Sequence, residues 1–242
     1  MAIGYACLNI GTPNTNIRSV MQRNATAEKL TEVITHNLEA LEKMVDYNIA
    51  NGIRLYRISS DLIPFGSSPV NMLDWPETHK EVFDRIGTKI RRGSMRVSFH
   101  PGQYTVLNSP DEDVVARAIE DLIYHDKILT ALGTDATNKI VLHVGGIYGD
   151  KEAALDRFAE NFQRLPESVQ NRLIIENDDR LYNSEEVLEL TNRLQIPSVF
   201  DNLHHAINPP PSGGDDRYWI AAAAKTWKAR DGKQKIHYSQ QA

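Results

Sequence analysis

The sequence predicts an α/β fold of the TIM (β/α)8 type, on three observations. Short β-rich runs alternate with longer helical patterns along the chain. Successive strand starts lie roughly 30 to 50 residues apart, the rhythm of βα units and a parallel sheet. Polar and titratable residues recur at the end of nearly every strand, and in a barrel those ends meet at one mouth, where the active sites of this fold lie. An open doubly wound sheet is the rival layout. It calls for a glycine fingerprint after the first strand, where Asn9-Ile10-Gly11-Thr12 stands instead.

The elements follow in order. A strand over Ile3–Leu8 leads to a helix over about Ala27–Asn51, with Leu30, Val33, Ile34, Leu38 and Leu41 at helical spacing. The strand Arg54–Ile58 is followed by a helix at Trp75–Arg91, and Met95–Phe99 by a helix at Glu112–Ala131. Ile140–His143 precedes a helix at Lys151–Arg164. Leu173–Glu176 precedes a helix at Ser184–Leu194, with Ser184 read as its N-cap. Ser198–Phe200 is followed by Pro209-Pro210-Pro211-Ser212-Gly213-Gly214, a βα loop rather than a linker, then by a helix at Arg217–Lys228 and a strand at Lys235–Tyr238. Residues 1–242 read as one barrel domain, apparently missing its last strand and helices at the C-terminus. A complete barrel typically takes ~250 residues, and long mouth loops use up the 242 available. An open seam would then be covered by a partner, or the chain would be a fragment.

Composition excludes several classes. Apolar residues at 41% and charged residues at 24% argue against wholesale disorder. No apolar run approaches the ~20 residues of a membrane span, and no secretory signal is visible. The single cysteine, Cys7, rules out an internal disulfide and fits a reducing, cytoplasmic location. A net charge of −5 argues mildly against a nucleic-acid binder.

The strand ends carry the chemistry. They present His100, His143, Glu176, Asp201 and His237, with His204 and His205 just past Asp201. Imidazole and carboxylate suit borderline divalent ions such as Mn2+ and Zn2+. The two oxygens of Glu176, central in strand order, could bridge two ions. His36, His79 and His125 lie in helical stretches and read as structural. His205 is ambiguous, and Asp178 and Asp179 read as loop groups. Clustered ions on a barrel rim suit phosphodiester hydrolysis by a metal-activated hydroxide, or sugar isomerisation. The loop His100-Pro101-Gly102-Gln103-Tyr104 favours the first, since Gln103 and Tyr104 could fill the space left by bases that leave the stack. Tyr5 could project to the same mouth.

At these residues the chain resembles the UV damage endonuclease family of the xylose-isomerase-like barrels. The segments that carry the likeness include Tyr56-Arg57-Ile58-Ser59-Ser60, Ser98-Phe99-His100-Pro101-Gly102-Gln103-Tyr104 and Leu142-His143-Val144-Gly145-Gly146. Ile175-Glu176-Asn177-Asp178-Asp179, Asp201-Asn202-Leu203-His204-His205 and Lys235-Ile236-His237-Tyr238-Ser239 continue it. The resemblance implies an ATP-independent DNA repair endonuclease that nicks double-stranded DNA 5′ to cyclobutane pyrimidine dimers and 6-4 photoproducts, with the damaged bases flipped out. It implies manganese, as two or three divalent ions, with Zn2+ or Mg2+ as alternatives. It implies His100, His143, Glu176, Asp201, His204 and His237 as ligands, and Gln103, Tyr104 and Tyr5 as lesion probes. Asn9 and Arg57 become mouth residues near substrate. Glu176, Lys235 and His237 become the catalytic candidates. Lys235, two positions before His237, would share its strand face and be open to neutralisation or carbamylation beside a metal. Arg18, Arg23, Lys151 and Arg180 could contact phosphates.

Two departures accompany the likeness. Ser68 stands where the family has a ligand histidine. The family also continues past Ser239-Gln240 into a further ligand loop, an eighth strand and a last helix. Two other readings stay open: a sugar isomerase or epimerase on the same barrel, and a damage-binding module without turnover.

Overall fold

The structure, a computed structural model, describes residues 2–239. Gln240, with which the family comparison of the C-terminus began, lies outside the described residues. The chain divides into two compact units, Met1–His100 with Ile123–Asn138, and Pro101–Leu122 with Lys139–Ala242.

The first unit carries three parallel strands, β1 (Gly4–Ala6), β2 (Leu55–Arg57) and β3 (Arg96–Phe99). Tyr5 pairs with Tyr56, and Tyr56 with Val97. Gly4 is required by the approach of β1 to β2, because a Cβ there would collide with the Leu55 carbonyl. Helix α1 (Ala27–Ala50) starts at Thr26, whose side chain accepts from the Lys29 N–H at 3.2 Å. Its predicted stripe, Leu30, Val33, Ile34, Leu38 and Leu41, is buried. The helix expected over Trp75–Arg91 is instead α2 (Trp75–Thr78) and α3 (Lys80–Arg92). The break falls at His79, whose buried ring meets the Trp75 carbonyl through Nδ1 at 3.2 Å and Thr35 Oγ1 through Nε2 at 3.2 Å. A side chain that competes for a helical carbonyl interrupts the ladder.

Helix α4 (Glu112–Ala131) matches its expected span and contributes residues to both units.

The second unit carries β4 (Lys139–Leu142), β5 (Leu173–Glu176), β6 (Ser198–Asp201) and β7 (Ile236–His237), all parallel. Every residue of β4, β5 and β6 is buried, as expected of strands covered on both faces. Helix α5 (Lys151–Phe162) begins at Asp150, whose side chain accepts from Ala153 N. Two short helices, α6 (Glu167–Arg172) and α8 (Asn202–Ile207), were not expected, being too short to show a period. Helix α7 (Ser184–Leu194) is capped by Asn183 rather than Ser184. Asn183 Oδ1 accepts from Glu185 N and Glu186 N, and the Glu186 carboxylate accepts from Asn183 N in return, closing a capping box. Ser184 Oγ instead meets His205 Nδ1 at 3.2 Å.

The proline-glycine stretch forms a loop, as expected, but follows α8 rather than a strand. Helix α9 (Asp216–Ala224) ends before the expected Lys228. Beyond it, Thr226 Oγ1 accepts from Ser198 N at 2.9 Å and Trp227 Nε1 donates to Ser198 O at 2.8 Å, which turns the chain onto β6. Among the described residues no helix is long and apolar enough to cross a membrane.

Candidate metal centre

Parallel pairing brings the carboxyl ends of β4 to β7 to one edge of the second unit. Leu142 is level with Ile175, so His143 follows beside Glu176, and Asp201 is level with His237. Strand order thereby gathers four side chains that lie far apart in the chain. Glu176 is 1% exposed and Asp201 is 5% exposed. One ligand atom from each of Glu176, Asp201 and His237 lies within 4.8 Å of the others.

Glu176 sits between two imidazoles. One carboxylate oxygen meets His237 Nδ1, and the other lies 3.6 Å from His143 Nε2. His143 Nδ1 faces the Glu176 carbonyl at 3.2 Å, and His204 Nδ1 faces the next carbonyl, that of Asn177, at 2.8 Å. A carbonyl only accepts, so both rings carry a proton on Nδ1, which leaves Nε2 as the nitrogen able to meet a metal. This is the arrangement that orients histidines toward a metal. The two rings stand 5.5 Å apart between centroids. Asp201 caps α8 by accepting from His204 N at 2.9 Å, which fixes the histidine against its own carboxylate.

The donor set fits a divalent ion. Two buried carboxylates within a few ångströms repel each other unless a cation lies between them. Carboxylate oxygens and imidazole nitrogens, with no thiolate, suit Mn2+, Zn2+ or a related ion.

The other candidates are placed as follows. His100 directly follows β3 in the first unit, its carbonyl accepting from Ser60 Oγ at 3.2 Å. Tyr5 and Asn9 meet in that unit, with Asn9 Nδ2 donating to the Tyr5 hydroxyl at 3.4 Å. Burial holds the Tyr5 phenol above its ordinary pKa, partly countered by the Asn9 bond. Arg57 is half-buried on β2, and its Nε makes no hydrogen bond. Ser68 Oγ accepts from Val70 N at 3.3 Å within its own turn. In the second unit, Gln103 and Tyr104 are exposed, Tyr104 at 70%. Their loop is anchored by Thr105 Oγ1, which donates to Asp121 at 2.7 Å, and by Asn161, which donates to the Leu107 carbonyl at 2.7 Å. Lys235 directly precedes β7, a strand of two residues rather than the four expected.

His205 is drawn away from the candidate ligands. It packs on Phe200 and Trp219 and bonds Ser184 and the Gly214 carbonyl. Asp178 accepts from three backbone N–H groups, of Arg180, Leu181 and Tyr182, a loop role as expected. Lys151, expected at phosphate, pairs with Glu186 at 2.7 Å. Tyr182, above which that lysine lies, has its phenol pushed up to about 12 by burial and donates to the Gly146 carbonyl.

Two residues near the centre were missed. Asn202 exchanges two hydrogen bonds with Ser239, at 2.9 and 3.1 Å, pinning the end of the chain segment that carries His237. Asn177 bridges to Asp201 in the same way. Their signal was an amide directly after a strand end that carries a candidate ligand.

The sequence pattern of the family described as UV-endonuclease UvdE matches residues 2–242. The chain is 42% identical to a UV DNA damage endonuclease of Clostridium perfringens, over all of its own length and 58% of that protein's. It thus spans less than two thirds of that relative. The crystal structure of SacUVDE superposes with a TM-score of 0.95 at 35% identity, covering 100% of this chain and 81% of that one. D-psicose 3-epimerase from Clostridium cellulolyticum superposes at 0.55 with 14% identity, over 82% and 67% of the two chains, a likeness of fold alone. The α/β class of TIM-barrel type expected from the strand rhythm is the class these structures share.

Proposed function

Because the chain belongs to the UV-endonuclease UvdE family, we propose that it takes part in DNA repair as an endonuclease that nicks the backbone 5′ to UV photoproducts without ATP. The observation that supports this most is the Glu176, Asp201 and His237 cluster flanked by two histidines whose Nδ1 atoms are held by backbone carbonyls. His143, Glu176, Asp201, His204 and His237 hold divalent ions in this reading, with His100 as a further ligand and Mn2+ as the ion. When bound, such an ion supplies Lewis acidity toward water and phosphate oxygens.

The chain's own residues do the rest. Glu176, buried between the His143 and His237 imidazoles, fixes its neighbours. His237 is oriented by its Nδ1 contact with that carboxyl group, and Lys235 lies at the phosphate. Gln103 and Tyr104, on a loop anchored at Thr105 and Leu107, enter the duplex where the damaged bases leave it. Tyr5, Asn9 and Arg57 contact the lesion strand. Positive charge brought by the ions, rather than the net charge of −5, draws the DNA.

The test uses irradiated and undamaged duplex with Mn2+. Nicks confined to irradiated DNA, at the 5′ side of the lesion, are expected. Equal behaviour on both substrates refutes lesion-specific cutting, and retarded mobility without a nick at saturating Mn2+ points to binding alone.

A further inference from the structure

We infer that Asn177 is a positioning residue that sets the geometry of two metal ligands, Asp201 and His204; the inference rests on reading those two as ligands. Asn177 is 1% exposed and follows Glu176 at the end of β5. Its Oδ1 accepts from Asp201 N at 2.9 Å and its Nδ2 donates to Asp201 O at 3.1 Å. The side-chain amide therefore pairs with both main-chain polar groups of one residue. Its own carbonyl faces His204 Nδ1 at 2.8 Å.

The position explains why an amide is needed. The register of β5 against β6 runs to Glu176 and Val199. Two residues further on, at Asp201, β6 gives way to α8, and the Asn177 side chain extends the contact of β5 with β6 past the end of their backbone register. Only a group that donates and accepts can do this. Aspartate lacks the donor, leucine lacks both, and serine is too short to reach both partners. Holding the Asp201 backbone also holds its carboxylate, because that carboxylate caps α8 and bonds the His204 N–H. One residue thus acts on one ligand through its side chain and on another through its main chain.

The experiment measures the Kd for Mn2+ from free-Mn2+ electron paramagnetic resonance. It uses the full chain and the variants Asn177→Ala, Asn177→Ser, Asn37→Ala, Asp201→Ala and His204→Ala. Asn37 serves as the structural control. It is fully buried in the first unit, and its amide also makes three hydrogen bonds, to Arg18 N, Arg18 O and Leu62 O. Asn177→Ala is expected to weaken Mn2+ binding about 10- to 100-fold with an unchanged far-ultraviolet spectrum. Asn37→Ala is expected to lower the melting temperature and leave the Kd within twofold. A wild-type Kd in folded Asn177→Ala overturns the inference, as does equal weakening in Asn37→Ala. If the alanine variant does not fold, Asn177→Ser decides by the same criterion. If Asp201→Ala and His204→Ala bind Mn2+ like the wild type, the ligand reading itself falls. If they lose binding while the Asn177 variants keep it, only the positioning role falls.

Discussion

Replacing Lys139 by methionine removes the cation from a buried ion pair in the second unit. Lys139 Nζ lies 2.6 Å from Asp231 Oδ1, and the two side chains are 1% and 4% exposed. At an effective dielectric near 20 that separation corresponds to about 6 kcal/mol of attraction, which roughly offsets the desolvation of the two charges. Lys139 Nζ also donates to the Asn171 carbonyl at 2.8 Å, and Asp231 Oδ2 accepts from Lys228 N at 3.0 Å. The pair ties β4 to the turn that precedes β7, and so to the strand of His237. Removing only the lysine leaves a carboxylate buried without its cation, a cost of about 3–5 kcal/mol. For a chain of this size that lowers the melting temperature by roughly 6–20 °C. Removing both charges in Lys139→Met/Asp231→Asn keeps an acceptor for Lys228 N and is expected to recover most of the loss. Thermal melts followed by circular dichroism give the comparison. A single variant that melts within 2 °C of the wild type, or a double variant no better than the single, refutes the reasoning.

Further outcomes follow from the same contacts. Glu176→Gln is expected to reduce nicking on the order of 100-fold or more, and chelation by EDTA to abolish it until Mn2+ is returned, both read on irradiated duplex. Tyr104→Ala is expected to leave Mn2+ affinity unchanged while reducing the preference for irradiated over undamaged DNA, measured by competition between the two. In the first unit, the hydrogen bond from Arg85, with a second from Lys89, holds the Glu42 carboxyl down at about 2 rather than 4.5. A lowered folded-state pKa contributes stability that is present above pH 4.5 and lost as the pH falls toward 2. With Arg85 half exposed, about 1–2 kcal/mol after screening is expected. Urea midpoints at pH 6 and pH 3 should therefore converge for Glu42→Gln relative to the wild type. Asn183→Ala opens the capping box of α7 and should cost about 1 kcal/mol, visible as a melting shift of roughly 2–4 °C.

The candidate ligands were legible because each ends a β-rich run, and a run of alternating strands and helices implies a common edge for those ends. His143, Glu176, Asp201 and His237 needed only the strand count and a parallel register. The stripe of α1 was legible for a related reason: the spacing of Leu30, Val33, Ile34, Leu38 and Leu41 states which face is buried, whatever covers it. Local signals failed where a side chain found a distant or competing partner. Asn183 displaced Ser184 as the α7 cap because Glu186 reaches back to its N–H, which frees Ser184 to meet His205. His79 split a continuous helical pattern because its ring bonds Thr35, more than forty residues earlier in the chain. Helices α6 and α8 were too short for any period to show.

What the sequence by itself determined was the residue types at the strand ends, a donor set of a kind that suits a borderline divalent ion. What only the tertiary structure decided was the orientation of each donor. The tautomers of His143 and His204 depend on which nitrogen meets the successive carbonyls of Glu176 and Asn177. The separation of His205 from its neighbour His204 depends on Phe200, Trp219 and Ser184 drawing it into the core. Spacing along a strand sets which residues share an edge, whereas hydrogen bonds between segments remote in sequence set where their atoms point. Those bonds exist only once the chain has closed on itself.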